Sequence, residues 1–165
     1  MPRDVFRPHR ITRTYRQTIN ASPDQVFPLL CPVREAEWLD GWQYTMLCSR
    51  SGLVEEGAVF STPGDNVPDT VWIVTTHDPI RRIVEFARFT PGFTVCLLRI
   101  AVSAGGTDRS GVDIVYTYTA IDARGTAVID RFTEESFRDA MAFWEASMNH
   151  WLETGERLAR VDAVR

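Results

Sequence analysis

The chain has 165 residues, enough for one domain and too few for two comfortable cores. Its 44% apolar and 24% charged residues are ordinary globular values and exclude disorder as the default reading. A net charge of −4 excludes nucleic acid as the main partner, because phosphate neutralisation needs a basic footprint.

All 18 cationic side chains are Arg. Without Lys, neither Schiff-base chemistry nor a Walker-type phosphate lysine is available. The one basic region, Arg3, Arg7, Arg10, Arg13 and Arg16, reads as a solvated tail entering an edge strand. Cys31, Cys48 and Cys96 match no CxxC motif or disulfide framework and read as free, buried thiols. No apolar run reaches the roughly 18–20 residues that span a bilayer, and no h-region follows the N-terminal arginines. A cytoplasmic protein without integral membrane association is expected.

In chain order, Ile11–Ile19 alternates as a strand, with β-branched and aromatic residues. Ser22, Pro23 and Asp24 then supply an N-cap, a Pro at the first helical position and an early acid. The helix they start buries Val26, Phe27, Leu29 and Leu30, and Pro32 ends it. A second short helix is expected over Arg34–Leu39, stopped by Asp40-Gly41. Strands follow at Tyr44–Ser49, Ala58–Ser61, Thr70–Thr76, Arg82–Phe89, Phe93–Ser103 and Val112–Ile121. Thr90-Pro91-Gly92-Phe93 has the residues of a type II turn, and Ala104–Asp108 joins the next hairpin. The Pro63–Pro68 loop is expected to be the mobile connection.

The last segment is a long amphipathic helix capped by Thr133, with Glu134 and Glu135 in its first turn. Phe137, Met141, Trp144, Met148, Trp151 and Leu152 share one face. Reaching to Leu158, it would run about 25 residues or roughly 37 Å, long enough to cross a whole sheet.

This order of elements resembles the helix-grip fold of the SRPBCC superfamily, which includes START domains, birch-pollen allergens and polyketide cyclases. Three segments carry the resemblance. Ile19–Phe27 is similar to its strand-to-helix entry, I-x-A-x-P-x-x-V-F. Trp38–Trp42 resembles the tryptophan-bearing segment after the second helix, and Asp78–Val84 its P-x-R-I/L-V hairpin. The resemblance spans about residues 10–158. It implies an α+β fold in which a curved antiparallel sheet of six or seven strands wraps a long C-terminal helix, with two short helices after the first strand. It further implies a cavity for lipids, polyketides or other apolar molecules between sheet and helix. One domain over residues 1–165 is expected.

Chemistry-bearing residues are sparse. His9, His77 and His150 fit no metal spacing, and His150 should face solvent, so neither metal nor cofactor is expected. No nucleophile elbow or Cys-His signature is present, and Cys96 in an apolar strand should be inert. Glu35, Glu37, Glu55 and Glu56 read as solvated acids. Glu85 and Arg99 interrupt apolar strands and read as outward salt-bridge partners. The best site candidates are Trp72, Phe86, Tyr116, Tyr118, Met141, Trp144 and Met148, although a packed core would use the same residues. Tyr and Trp need polar partners when buried, and Met adapts to varied ligands.

The leading expectation is a carrier or sensor of a small hydrophobic or aromatic molecule. One alternative is a cyclase or aromatase using Tyr116, Glu85 or Arg99. A second is an interaction module like the superfamily's chaperone activators. Phe143, on the outer face of the helix, marks a candidate homodimer surface.

Overall fold

The structure, a computed structural model, describes residues 6–160; Arg3 and the extreme ends of the expected domain lie outside them. Seven strands form one sheet in the order β1-β7-β6-β5-β4-β3-β2, every neighbouring pair antiparallel. They are β1 (Arg10–Ile19), β2 (Thr45–Cys48), β3 (Val59–Thr62), β4 (Thr70–Asp78), β5 (Ile83–Thr90), β6 (Thr94–Ala104) and β7 (Ser110–Ala120). Between β1 and β2 come α1 (Pro23–Val26), a 3-10 turn (Phe27–Leu29) and α2 (Pro32–Trp38). After β7 come α3 (Ala123–Arg131) and the long α4 (Glu134–Thr154). The expected sheet, paired short helices and long C-terminal helix are all present. Among the described residues no helix is long and apolar enough to cross a membrane.

Local chemistry explains the connections. At the β5–β6 hairpin Gly92 takes a φ of 74°, and the Phe93 N–H donates to the Thr90 carbonyl at 3.0 Å. That is the left-handed position a type II turn reserves for Gly. Ser22 opens α1, its N–H donating to Gln25 Oε1 at 3.1 Å, and Asp24 is bridged at 2.8 Å by Arg82. Val26, Phe27, Leu29 and Leu30 are all buried there.

Several features differ from expectation. Pro32 does not simply end the first short helix: it is the first residue of α2, which therefore opens two residues before Arg34, since Pro is favoured at a first helical position. The long helix α4 stops at Thr154, four residues short of Leu158, because Gly155 adopts φ 74° and closes it with an N–H bond to the Trp151 carbonyl at 2.8 Å. Additionally, α3 was not expected. Asp122 caps it, its carboxylate accepting from the Arg124 and Gly125 N–H groups at 2.7 and 3.3 Å. A Cβ at Gly125 would stand 1.8 Å from the Phe93 carbonyl oxygen, so only Gly lets α3 lie this close to the β5–β6 turn.

The core lies between the inner face of the sheet and the helices, and includes Trp38, Phe60, Val84, Ile114, Phe137 and Met148. α4 is fastened to β1 by polar side chains. The buried Gln17 donates through Nε2 to the Met141 carbonyl at 3.0 Å. Glu145 accepts the Thr18 N–H at 2.8 Å and the Tyr15 hydroxyl at 3.2 Å. Asn149 accepts the Asn20 N–H at 2.8 Å and donates to the Thr18 carbonyl at 3.0 Å.

On the outer face of the sheet Ile73, Phe89 and Leu97 are exposed, an apolar patch that is not evident from the sequence. It arises because the outward-facing letters of β4, β5 and β6 are themselves apolar: Ile73 pairs with Ala87, Ala87 with Leu97, and Phe89 with Val95. Of the expected buried thiols, Cys31 and Cys96 are buried, whereas Cys48 is exposed because β2 is the short outermost strand; all three are free.

Asn149→Ala leaves a backbone donor and a backbone acceptor of β1 without their helix partner. It is expected to lower unfolding free energy by about 1–2 kcal/mol, read as a lower urea midpoint with unchanged slope.

Candidate functional site

A cavity of about 240 Å³ lies between α2, the sheet and the first half of α4. Phe60, Trp72, Phe86, Leu98 and Tyr116 form its sheet side, and Met141, Phe143 and Trp144 close it from α4. Leu30, Glu35 and Trp42 close it from the segment between β1 and β2. A second cavity of about 590 Å³ lies farther along the sheet under α3, lined by Arg88, Thr70, Thr90, Tyr118, Ile129 and the Pro63–Val67 side of the β3–β4 loop. Gly41, Trp42 and Trp72 line both, so the two spaces adjoin at the Trp72 indole.

Aromatic contacts stiffen the shared wall. Phe60 stacks on Trp72 with centroids 5.4 Å apart, and Phe86 meets Trp72 edge-on at 6.0 Å. The Trp72 indole N–H donates to Thr62 Oγ1 at 3.0 Å, and the Trp42 N–H donates to the Pro32 carbonyl at 2.8 Å. Both indoles are therefore satisfied by protein and present ring carbon to the cavities.

Three polar groups of the first cavity are not satisfied in this way. Among the described residues, the Glu35 carboxyl, the Tyr116 hydroxyl and the Trp144 indole N–H have no hydrogen-bond partner. Burial pushes the Glu35 carboxyl up to about 8, so at neutral pH it is mostly a protonated acid and a hydrogen-bond donor. It remains accessible only in part, as expected of a group deep in the protein that borders a cavity. Burial also raises the Tyr116 phenol, with the charge of neighbouring Tyr118 adding to the effect.

No protein-family model and no curated protein matches the sequence. Solved structures do. Norcoclaurine synthase from Thalictrum flavum, determined in complex with dopamine and hydroxybenzaldehyde, aligns with a TM-score of 0.65 at 14% identity, covering 89% of each chain. The Zhui aromatase/cyclase from Streptomyces sp. R1128 aligns with a TM-score of 0.55 at 12% identity over 70% of this chain and 71% of that one. DynU16, from the dynemicin biosynthetic locus, aligns at 0.58 and 17% identity over 88% of this chain, which spans 48% of DynU16. The chain has the helix-grip fold. At such identities the likeness is one of fold, and it agrees with the superfamily resemblance in the sequence.

Of the residues singled out from sequence, the helix-grip cavity collects Trp72, Phe86, Tyr116, Met141 and Trp144. Tyr118 lines the second cavity instead, one inward step along β7 from Tyr116, with the two rings stacked at 5.7 Å. Met148 is fully buried in the core and lines neither space. Glu85 and Arg99 face outward as a cross-strand pair at 3.1 Å, leaving no catalytic role for them inside. Phe143 is not a bare outer residue: it is half-buried and borders the first cavity, with the Arg160 guanidinium 5.1 Å from its ring. His150 is likewise half-buried rather than solvent-facing. Cys96 is buried, and burial pushes its thiol up to about 11, which keeps it protonated.

Sequence reasoning missed two residues. Glu35 reads as one solvated acid among several, because its burial depends on Trp42 and α4 packing over α2. Arg88 was detectable, since Val84, Phe86, Arg88 and Thr90 alternate onto the inner face of β5.

Glu35 ionises near its ordinary value in the unfolded chain but near 8 when folded. Between roughly pH 4.5 and 8 the unfolded state therefore binds fewer protons, and stability falls as pH rises. Glu35→Gln is expected to flatten that decline, becoming more stable than the parent by roughly 2–4 kcal/mol at pH 8 and no more stable near pH 4. Urea denaturation at a series of pH values measures it.

Proposed function

We propose that the protein binds a small, largely apolar molecule, aromatic or lipid-like, in the first helix-grip cavity. The observation that carries this reading is the set of unsatisfied polar groups, Glu35, Tyr116 and Trp144, facing into an otherwise apolar chamber. Polar groups that face a cavity without a protein partner keep their hydrogen-bonding capacity for whatever fills it. A ligand with one or two polar atoms would satisfy them. A space of about 150 Å³ already admits a benzene ring, so 240 Å³ has room for a substituted ring. Apolar burial at about 25 cal/mol per Å² would supply most of the affinity, with Tyr116 and Glu35 fixing orientation. That a structure of the same fold holds dopamine and hydroxybenzaldehyde supports an aromatic occupant.

One observation favours a second reading, an enzyme of the cyclase or aromatase kind. A carboxyl titrating near 8 can deliver a proton at neutral pH, and Glu35 lines the same cavity as Tyr116. That reading rests on Glu35 and Tyr116 alone, since Glu85 and Arg99 point away. The binder is the conclusion because its requirement, a chamber with unmet polar groups, stands without any assumed reaction.

The neutral dye N-phenyl-1-naphthylamine is expected to gain fluorescence on binding the purified protein. Ala140→Phe sets a ring into the first cavity from α4 and should weaken that binding about tenfold or more while the chain stays folded. Unchanged dye affinity in Ala140→Phe would place the ligand elsewhere.

A further inference from the structure

The inner face of the sheet is graded in polarity along its strands, and the grading follows from register. One row across it is made of hydroxyls: Thr62 pairs with Thr70 and Thr90 with Thr94. The next row runs Phe60, Trp72, Arg88, Cys96, Tyr118. Beyond it come Val74, Phe86, Leu98 and Tyr116, a row that reaches Arg13 on β1, and then Val84, Ile100 and Ile114, a row flanked by His77 on β4 and Tyr15 on β1. Along the central strands β5 and β6 the face thus passes from hydroxyl and cation to hydrocarbon, which matches a molecule with a charged end and an apolar end.

Arg88 is the centre of the polar end. Its guanidinium lies 4.7 Å from the Trp72 ring centroid and 5.4 Å from that of Tyr118, and it lines the second cavity. Among the described residues no carboxylate lies within 4 Å of it, and its Nε is fully buried without a hydrogen-bond partner. The other half-buried arginines have an acid nearby: Arg34 pairs with Glu37, Arg82 with Asp24, and Arg13, whose Nε is likewise buried without a partner, bonds the Phe132 carbonyl and lies 3.8 Å from Glu134. Arg remains charged in any protein environment, so Arg88 is a permanent, half-buried cation offset only by two aromatic faces.

Further donors surround it. The Thr70 and Thr90 hydroxyls bond each other at 2.7 Å; one proton serves that bond, and the other remains available to a third group. The one acid lining this cavity is Asp65, exposed on the β3–β4 loop, where it accepts from Asn66 Nδ2 at 3.1 Å.

We infer that the second cavity is an anion subsite in which Arg88 holds the carboxylate of an amphiphilic ligand. The apolar body of that ligand extends past Trp72 into the first cavity. This rests on the binding reading above and names the chemical class it leaves open. A single cation among hydroxyls and rings balances one negative charge, which favours a carboxylate over a doubly charged phosphate. A planar guanidinium also matches a carboxylate edge in two parallel hydrogen bonds.

The test compares 2-naphthoate with 2-naphthamide, which share a ring system and differ in charge, by calorimetry on the full chain. The parent protein is expected to bind the acid about 10–100-fold more tightly than the amide. Arg88→Met keeps the aliphatic stem and removes the charge; it should bring the ratio to about one while leaving amide affinity intact. Because it also removes an unpaired, half-buried cation, Arg88→Met should melt no lower than the parent, whereas a residue needed only to hold the fold would melt lower. Equal affinity for acid and amide in the parent, or a preference for the acid that survives Arg88→Met, would overturn the anion subsite and leave the apolar site standing. Binding of neither compound would overturn both.

Discussion

The attachment of α4 to the edge of β1 governs the arrangement of everything inside the sheet. β1 pairs with β7 on one side only, so the backbone groups on its other side need partners. Glu145 and Asn149 supply them, reaching the Thr18 N–H, the Thr18 carbonyl and the Asn20 N–H. The geometry is commensurate: four residues of helix advance about 6 Å and two residues of strand about 6.6 Å. Side chains a turn apart on α4 thus meet every second residue of β1. This fixes the helix in both translation and rotation. With Glu145 and Asn149 turned to the strand, Phe137, Met141, Trp144 and Met148 turn to the sheet, and the first cavity is left between Met141, Trp144, the sheet and the α2–Trp42 segment.

The fold was legible in the sequence because its information is local and periodic. Alternation located the strands, and Pro91-Gly92 specified a turn whose geometry the structure reproduces. What escaped depended on contacts between distant segments. α3 contains Gly125, which weakens a helix by propensity yet is required by the Phe93 carbonyl lying against it. The end of α4 was set by Gly155, a left-handed cap hidden in a pattern that continues apolar to Leu158. In the site, the aromatics stood out by composition, but composition does not say which rings border space. Met148 fills core and Tyr118 belongs to the neighbouring chamber for reasons of packing alone. Glu35 looks like Glu37 in sequence; only the tertiary cover over α2 separates a protonated acid from a solvated one. Arg88 was concealed by the opposite habit, that of reading the inward face of a strand for its apolar letters.

The two chambers therefore differ in electrostatic character while sharing one aromatic wall. At neutral pH the first holds a neutral acid and a neutral phenol, both of which can donate a hydrogen bond without adding charge. The second holds a fixed positive charge. Trp72, its own N–H satisfied through Thr62, stands between them with the Phe60 ring stacked on it and the Arg88 guanidinium 4.7 Å from its centroid.

The sealing of β1 also bears on how the protein behaves when crowded. A sheet ordinarily offers two edges onto which another chain can add a strand, and such addition is the usual start of aggregation. Here side chains of the protein's own helix occupy one edge at the Thr18 end of β1, and Arg10 and Arg16 place charge on the rest of that strand. The other is β2, only four residues long and broken in register between Met46 and Cys48. Strand addition is thus opposed by helix cover and charge at one edge and by shortness and a register break at the other. The outer face with Ile73, Phe89 and Leu97 is a different kind of surface, since any contact made there would stack one sheet on another without lengthening either ladder.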